Sequence, residues 1–270
     1  MNETITLGLD DIFPFDCRKD LDCFNRCCRD INLFLTPYDI MRLKKNLSLS
    51  SREFLDRYTT TIYMEEIGHP LVVMKMTGDD KLCPFSGPDG CRVYPDRPWS
   101  CRAFPLEPCV GKAGDGRPLT PMYSVVKRPF CLGFNEKNPF LEKGDTGGFP
   151  GENNLLTVRA WREKQGTAIY EEMNDLWSQV TLSERFPVGG LDKRGIQMFF
   201  LASYSLDEFA QLVCRQGFLD TYNLKGEEIR TALQDELSLF KFACRWLRVA
   251  LLGEEIPLII QNSEYWPPNE

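Results

Sequence analysis

Eleven cysteines punctuate this chain of 270 residues, and nine fall in its first half, at Cys17, Cys23, Cys27, Cys28, Cys83, Cys91, Cys101, Cys109 and Cys131. Thiols clustered this way, among Arg, Pro and Gly, constrain the fold more than any hydrophobic pattern in the sequence. They are either a metal-ligand set or a disulfide framework. A chain of this length buries a hydrophobic core without covalent staples. An odd cysteine count pairs off poorly, and the adjacent Cys27-Cys28 step closes on itself only through a strained link. Ligation is the expected role.

The formal net charge of −7 argues against a general nucleic-acid or membrane-surface binder, which carries a basic face. The N-terminal stretch lacks the basic and apolar regions of a secretory signal. No run of roughly 18 uncharged apolar residues marks a membrane span. The cytoplasm is therefore the expected location. Thiols stay reduced there, and clustered cysteines more often bind metal.

Two domains are expected, a cysteine-cluster metal-binding domain over 1–150 and a helical domain over 151–270. The expected fold class is mainly α with an irregular, metal-stapled, cysteine-rich N-terminal region and little β. Thr36-Pro37-Tyr38-Asp39 opens a helix through about Lys45, with an N-cap, a proline at N1 and an acid in the first turn. Ser50 and Glu53 form a capping-box pattern for a second helix through about Tyr63. Leu71 to Met76 suits a strand. The Pro- and Gly-rich run from Cys83 to Cys131 predicts no regular ladder, so metal–thiolate bonds are expected to order it.

Residues 141–154 read as a connection. Beyond it, Ile169, Met173, Leu176, Trp177 and Val180 share a helical face. Ser205 with Glu208 suggests a capped helix that Gly217 closes. Ile229, Leu233, Leu237, Phe240, Cys244, Leu247 and Leu251 predict one long amphipathic helix, with Cys244 as a core thiol. Cys214, beside Phe209 and Val213, reads as a second core thiol. Trp161, Tyr170, Trp177, Phe199, Phe200 and Trp246 are core residues or anchors for a partner.

Cys17-x5-Cys23-x3-Cys27-Cys28 places Cys23 and Cys27 on one face of a helical turn, with Cys28 about 100° away. Arg18, Arg26, Arg29, Arg92, Arg97 and Arg102 lie within six positions of ligand candidates. They offset thiolate charge or are solvated surface residues; Arg97 and Arg102 are the candidate cofactor contacts. The only histidine, His69, stands apart from both cysteine groups and reads as a turn or surface residue. Mixed Cys/His zinc sites are thereby disfavoured. No Cys-x2-Cys pair of the zinc type is present, and the irregular spacing with a Cys-Pro step leans towards iron–sulfur.

The pattern Cys17, Cys23, Cys27-Cys28, Cys83-Pro84-Phe85, then Cys91-x-Val93-Tyr94-x-x-Arg97-Pro98-x-x-Cys101-Arg102-x-Phe104-Pro105 resembles the YkgJ-type cysteine-cluster family. Phe34-Leu35-Thr36-Pro37-Tyr38-Asp39 and Cys131-Leu132-Gly133 are similar to it as well. The resemblance covers roughly residues 13–135. It implies a zinc- or iron-chelating domain, with Cys17, Cys23, Cys27, Cys28, Cys83, Cys91, Cys101 and Cys131 as ligands. Cys109 has no place in the family pattern. The expected cofactor is one or two 4Fe–4S clusters, with zinc as the alternative. The expected partner is a protein or redox partner, with no nucleic acid and no membrane. The related flagellin lysine methylases carry a similar cluster, which by analogy admits a cluster-supported reaction. No nucleotide loop, catalytic triad or Cys-x3-Cys-x2-Cys radical motif accompanies the cysteines. The other reading is a zinc-binding interaction module without catalysis.

Overall fold

The computed structural model describes residues 6–109, 121–134 and 156–259. The connection expected over residues 141–154 lies outside them. By internal contacts the chain divides into two units, each built from two stretches: Met1–Leu33 with Lys75–Glu171, and Phe34–Met74 with Glu172–Glu270.

The first unit holds the cysteine groups. Its largest sheet runs β1 (Thr6–Leu7), β9 (Met122–Val125), β8 (Leu106–Cys109), all antiparallel. A second pairing joins β2 (Ile12–Phe13) to β10 (Leu156–Thr157), with Leu156 opposite Phe13. β6 (Ser86–Gly87) and β7 (Gly90–Cys91) form a hairpin whose loop is Pro88-Asp89. Proline fixes φ at the second position of that turn. α3 (Trp99–Ala103) carries Cys101, and α4 (Val158–Gln165) follows β10, capped by Thr157 and stopped by left-handed Gly166. Phe13, Phe15, Leu106, Tyr123, Val158 and Trp161 make the core, and Cys131 and Phe134 pack against it.

The second unit contains β3 (Phe34–Leu35), β5 (Pro70–Met74) and β4 (Thr59–Tyr63) in that sheet order, with α1 (Pro37–Asn46) and α2 (Ser51–Tyr58). Its other helices are α6 (Lys193–Tyr204), α7 (Leu206–Val213), α8 (Gln216–Tyr222), α9 (Gly226–Ala232) and α10 (Glu236–Leu252). α5 (Ala168–Thr181) begins in the first unit and ends in the second. Lys44 is buried and pairs with Asp207 at 2.6 Å and with Glu236, while the Ser51 N–H donates to Asp207 at 2.6 Å.

Mainly α is correct, with about 47% helix against 15% strand among the described residues. The metal-stapled, irregular N-terminal region is not what forms: among the described residues, β6–β7, α3 and β8–β9 form between Cys83 and Cys131. These elements order the segment through their own backbone hydrogen bonds. The stapling role assigned to metal is therefore withdrawn.

Four local expectations also change. α2 ends at Tyr58, because the β-branched run Thr59-Thr60-Thr61-Ile62 pairs with β5 as β4. The long C-terminal helix is two: Asp235 leaves the helical region and accepts the Ser238 N–H, starting α10 anew. Ser205 precedes α7 without a side-chain cap bond, and Gly217 sits inside α8. Cys214 is exposed at the end of α7, whereas Cys244 is buried as expected. His69 is no surface residue. It is buried against Phe199, Trp177 and Phe186, with Nδ1 on the Pro70 carbonyl at 3.0 Å, and burial lowers its pKa. Trp161, Tyr170, Phe199 and Trp246 are core residues.

Candidate metal centre

Two backbone junctions assemble the cysteines inside the first unit. At the first, the Asp16 N–H donates to the Gly133 carbonyl at 3.0 Å, which lays the chain at Cys17 beside the chain at Cys131. The approach needs a residue without a side chain: a Cβ on Gly133 would stand 2.6 Å from Phe15 Cε2 and 3.1 Å from the Asp16 carbonyl oxygen. Phe15 is held by Trp161 and Phe134 at ring separations of 5.4 and 4.8 Å. Between Cys17 and Cys23, turns from Arg18 to Leu21 and from Leu21 to Phe24 fold the five intervening residues back. Cys23 is thereby buried, and its Sγ accepts the Leu132 N–H at 3.2 Å and a hydrogen bond from Cys131.

At the second junction the Cys83 N–H donates to the Cys28 carbonyl at 2.8 Å, and the Asp30 N–H donates to the Lys81 carbonyl at 3.0 Å. Cys91 stands directly across the β6–β7 hairpin from Ser86, whose N–H donates to the Cys83 carbonyl at 3.0 Å. Asn25 adopts a left-handed conformation and donates from Nδ2 to the Gly87 carbonyl at 2.8 Å. That residue breaks the expected helical turn, and only Arg26–Cys28 coil as a 3-10 helix. Cys23 and Cys27 consequently do not share a face: one is buried and the other exposed. Cys101 is exposed on α3 and neighbours Cys27, while Cys109 is half-buried opposite Met122 in the β8–β9 ladder.

Residues 16–131 match a family model, CxxCxxCC, described as a putative zinc- or iron-chelating domain. That segment is similar to a CxxCxxCC domain. Its matched range begins one residue before Cys17 and ends on Cys131, so it encloses all eight candidate ligands. Searches of curated proteins and of solved structures gave no match. The domain spaces its first cysteines by five and three residues where the family name spaces them by two, and the turns after Arg18 absorb the added length. The match supports metal binding, by zinc or iron.

The donor set of the matched segment fits those metals in kind. All eight candidate cysteines are free thiols, and the lone histidine belongs to the other unit. Soft sulfur donors without imidazole select zinc or iron–sulfur. Among the described residues, however, no group of three or more His, Cys, Asp or Glu side chains already stands arranged to hold an ion. The thiols are neighbours and not a finished coordination shell.

Their electrostatics follow from crowding. Burial, then Cys131, Cys23, Asp16 and Cys28, push Cys17 up to about 11. Burial likewise lifts Cys83 to about 11 and raises Cys91 and Cys131, against the pull of backbone N–H groups at Phe85, Ser86, Val93 and Gly133. Cys28 is the exception, lowered to about 7 by hydrogen bonds from the Cys27 thiol and from Ser86. Cys27, as the donor, moves upward. A bound cation reverses this balance, because it stabilises the thiolates directly.

The domain's arginines divide by role. Arg97 is buried, donates to the Tyr94 carbonyl at 2.7 Å and to Gln165, and lies 3.8 Å over the Tyr94 ring. Its charge also neighbours Cys101 and Cys91. Arg102 is buried too, donating to the Gln165 and Pro95 carbonyls and the Tyr170 hydroxyl, so it ties α3 to the end of α4. Arg92 donates to the Pro84 carbonyl and Arg29 pairs with Asp80. Neither arginine role was legible from spacing alone. The buried Gln165 that receives both Arg97 and Arg102 lies outside the cysteine motifs, and nothing in the sequence marked it.

Proposed function

We propose that the domain holds iron as an iron–sulfur centre of the 4Fe–4S type and serves a redox or cluster-supported enzymatic role, exchanging electrons with a protein partner in the reducing cytoplasm. The observation that carries this reading is the environment of the sulfurs. Eight free thiols gather in one unit, and backbone N–H groups at Leu132, Phe85, Ser86, Val93 and Gly133 point at Cys23, Cys83, Cys91 and Cys131. Hydrogen bonds to ligand sulfur are a principal means of setting cluster potential. Arg97 beside Cys91 and Cys101 offsets the negative charge that four thiolates leave on a cluster. When bound, such a cluster supplies one-electron chemistry that no side chain of the protein offers. Arg97 is the cofactor contact in this reading, and Arg102 fixes the segment that presents Cys101.

Zinc is the second reading, which the family description admits equally with iron. It makes the protein a metal-bearing interaction module. Anaerobic purification separates the two. Absorbance at roughly 400 nm with equal iron and acid-labile sulfide supports the cluster. A colourless protein with stoichiometric zinc overturns it.

A further inference from the structure

We infer that the eight cysteines form two separate metal-binding groups, one organised by Cys17, Cys23 and Cys131 and the other by Cys28, Cys83 and Cys91, with Cys27 and Cys101 supplying the remaining donors. This deepens the metal-binding reading and rests on it.

The division is written into the backbone. The first group is made by the junction of Asp16 with Gly133 and by the Leu132 N–H on Cys23. The second is made by the Cys28–Cys83 and Asp30–Lys81 bonds, the Arg29–Leu82 bridge and the Ser86–Cys91 register of the hairpin. Each junction has its own buried cysteine, Cys23 in one and Cys83 in the other. The electrostatic neighbours follow the same order: Cys17 faces Cys131 and Cys23 first and Cys28 only after them, whereas Cys91 and Cys83 both face Cys28. Cys27 lies at the seam, beside Cys28, Cys17 and Cys101.

Coordination chemistry points the same way. One zinc ion, or one 4Fe–4S cluster, takes four cysteine thiolates, so eight donors around a single centre leave half of them idle. Two centres use every donor. Among the described residues neither triad is yet an assembled shell, so its thiols would have to close inward on binding.

Zinc alone serves as the probe. Apoprotein prepared under reducing conditions is titrated with zinc and followed by native mass spectrometry. The wild type takes up two ions; Cys131→Ser and Cys91→Ser each take up one, and the double variant none. One ion in the wild type, or loss of all zinc in either single variant, overturns the two-group assignment while leaving metal binding intact. A wild type that binds neither zinc nor iron overturns the metal-binding reading itself. Differential alkylation of the wild type guards against variants that misfold. At one equivalent of zinc, Cys23 and Cys131 become protected together and on a different schedule from Cys83 and Cys91. Simultaneous protection of all four overturns the assignment.

Discussion

The Cys83 N–H donates to the Cys28 carbonyl at 2.8 Å, joining by backbone two cysteines that stand on opposite sides of the stretch Phe34–Met74 in the chain. Main-chain bonds of this kind tie the cysteine segments to one another directly.

Metal removal should therefore leave secondary structure in place. Treating the purified protein with a strong chelator is expected to strip the ion with little change in far-ultraviolet circular dichroism, because β6–β7, α3 and β8–β9 carry their own hydrogen bonds. Loss of most of the helical signal would show that ion binding and folding are one event after all.

Gly133→Ala tests the first junction. The added Cβ meets Phe15 at 2.6 Å and the Asp16 carbonyl at 3.1 Å, and Phe15 is packed into the core. Overpacking of this kind costs about 1–3 kcal/mol, read from denaturant unfolding. Zinc stoichiometry should fall with it, since Cys17 and Cys131 are driven apart. An unchanged midpoint and full metal content would contradict the junction.

Cys244→Ser separates core from centre. Cys244 is 3% exposed on α10, and burial pushes its thiol up to about 12, so it stays protonated. A hydroxyl buried there without a partner costs about 1–3 kcal/mol. Metal content should not change, as atomic absorption will show, and a loss of metal would overturn the assignment of Cys244 to the core.

Asp207→Asn should weaken the second unit in a pH-dependent way. Burial raises the Asp207 carboxyl, but Lys44 and the Ser51 N–H outweigh it and hold the pKa below the ordinary value. A depressed carboxylate stabilises the fold fully above its unfolded pKa, about 4, and loses that contribution as pH falls through the folded value. The gap between wild type and variant should be about 1–2 kcal/mol near neutrality, allowing for the solvent exposure of Asp207. Thermal melts from pH 7 down to pH 3 should show it narrowing below about pH 4. A gap that widened in acid would reverse the assignment.

Sequence revealed local signals and missed distant ones. Thr36 and Asp39 cap α1 reciprocally, as their types and spacing foretold, and β5 formed where the apolar run stood. The same capping logic misjudged Ser205, since a box pattern does not compel the hydroxyl to bond. α2 stopped at Tyr58 because pairing with β5 outbids helix continuation, a tertiary effect that no window of neighbours contains. His69 looked like turn chemistry between Gly68 and Pro70, yet aromatic rings from α5 and α6 bury it. The cysteine pattern stood out because thiols are rare, and the matched range encloses it. How the backbone brings its segments together was not legible, because Gly133 and Asn25 act through local geometry.

The first unit is threaded discontinuously, and this imposes an order on its assembly. A nascent chain presents Cys17, Cys23, Cys27 and Cys28 first, then the whole of Phe34–Met74, and only afterwards the sulfurs from Cys83 onward. Cys28 meets its companions once Cys83 and Cys91 have followed, but Cys17 and Cys23 must wait, reduced, until Cys131 has emerged from the ribosome. A metal ion delivered too soon would meet an incomplete set, so loading belongs after synthesis of the domain.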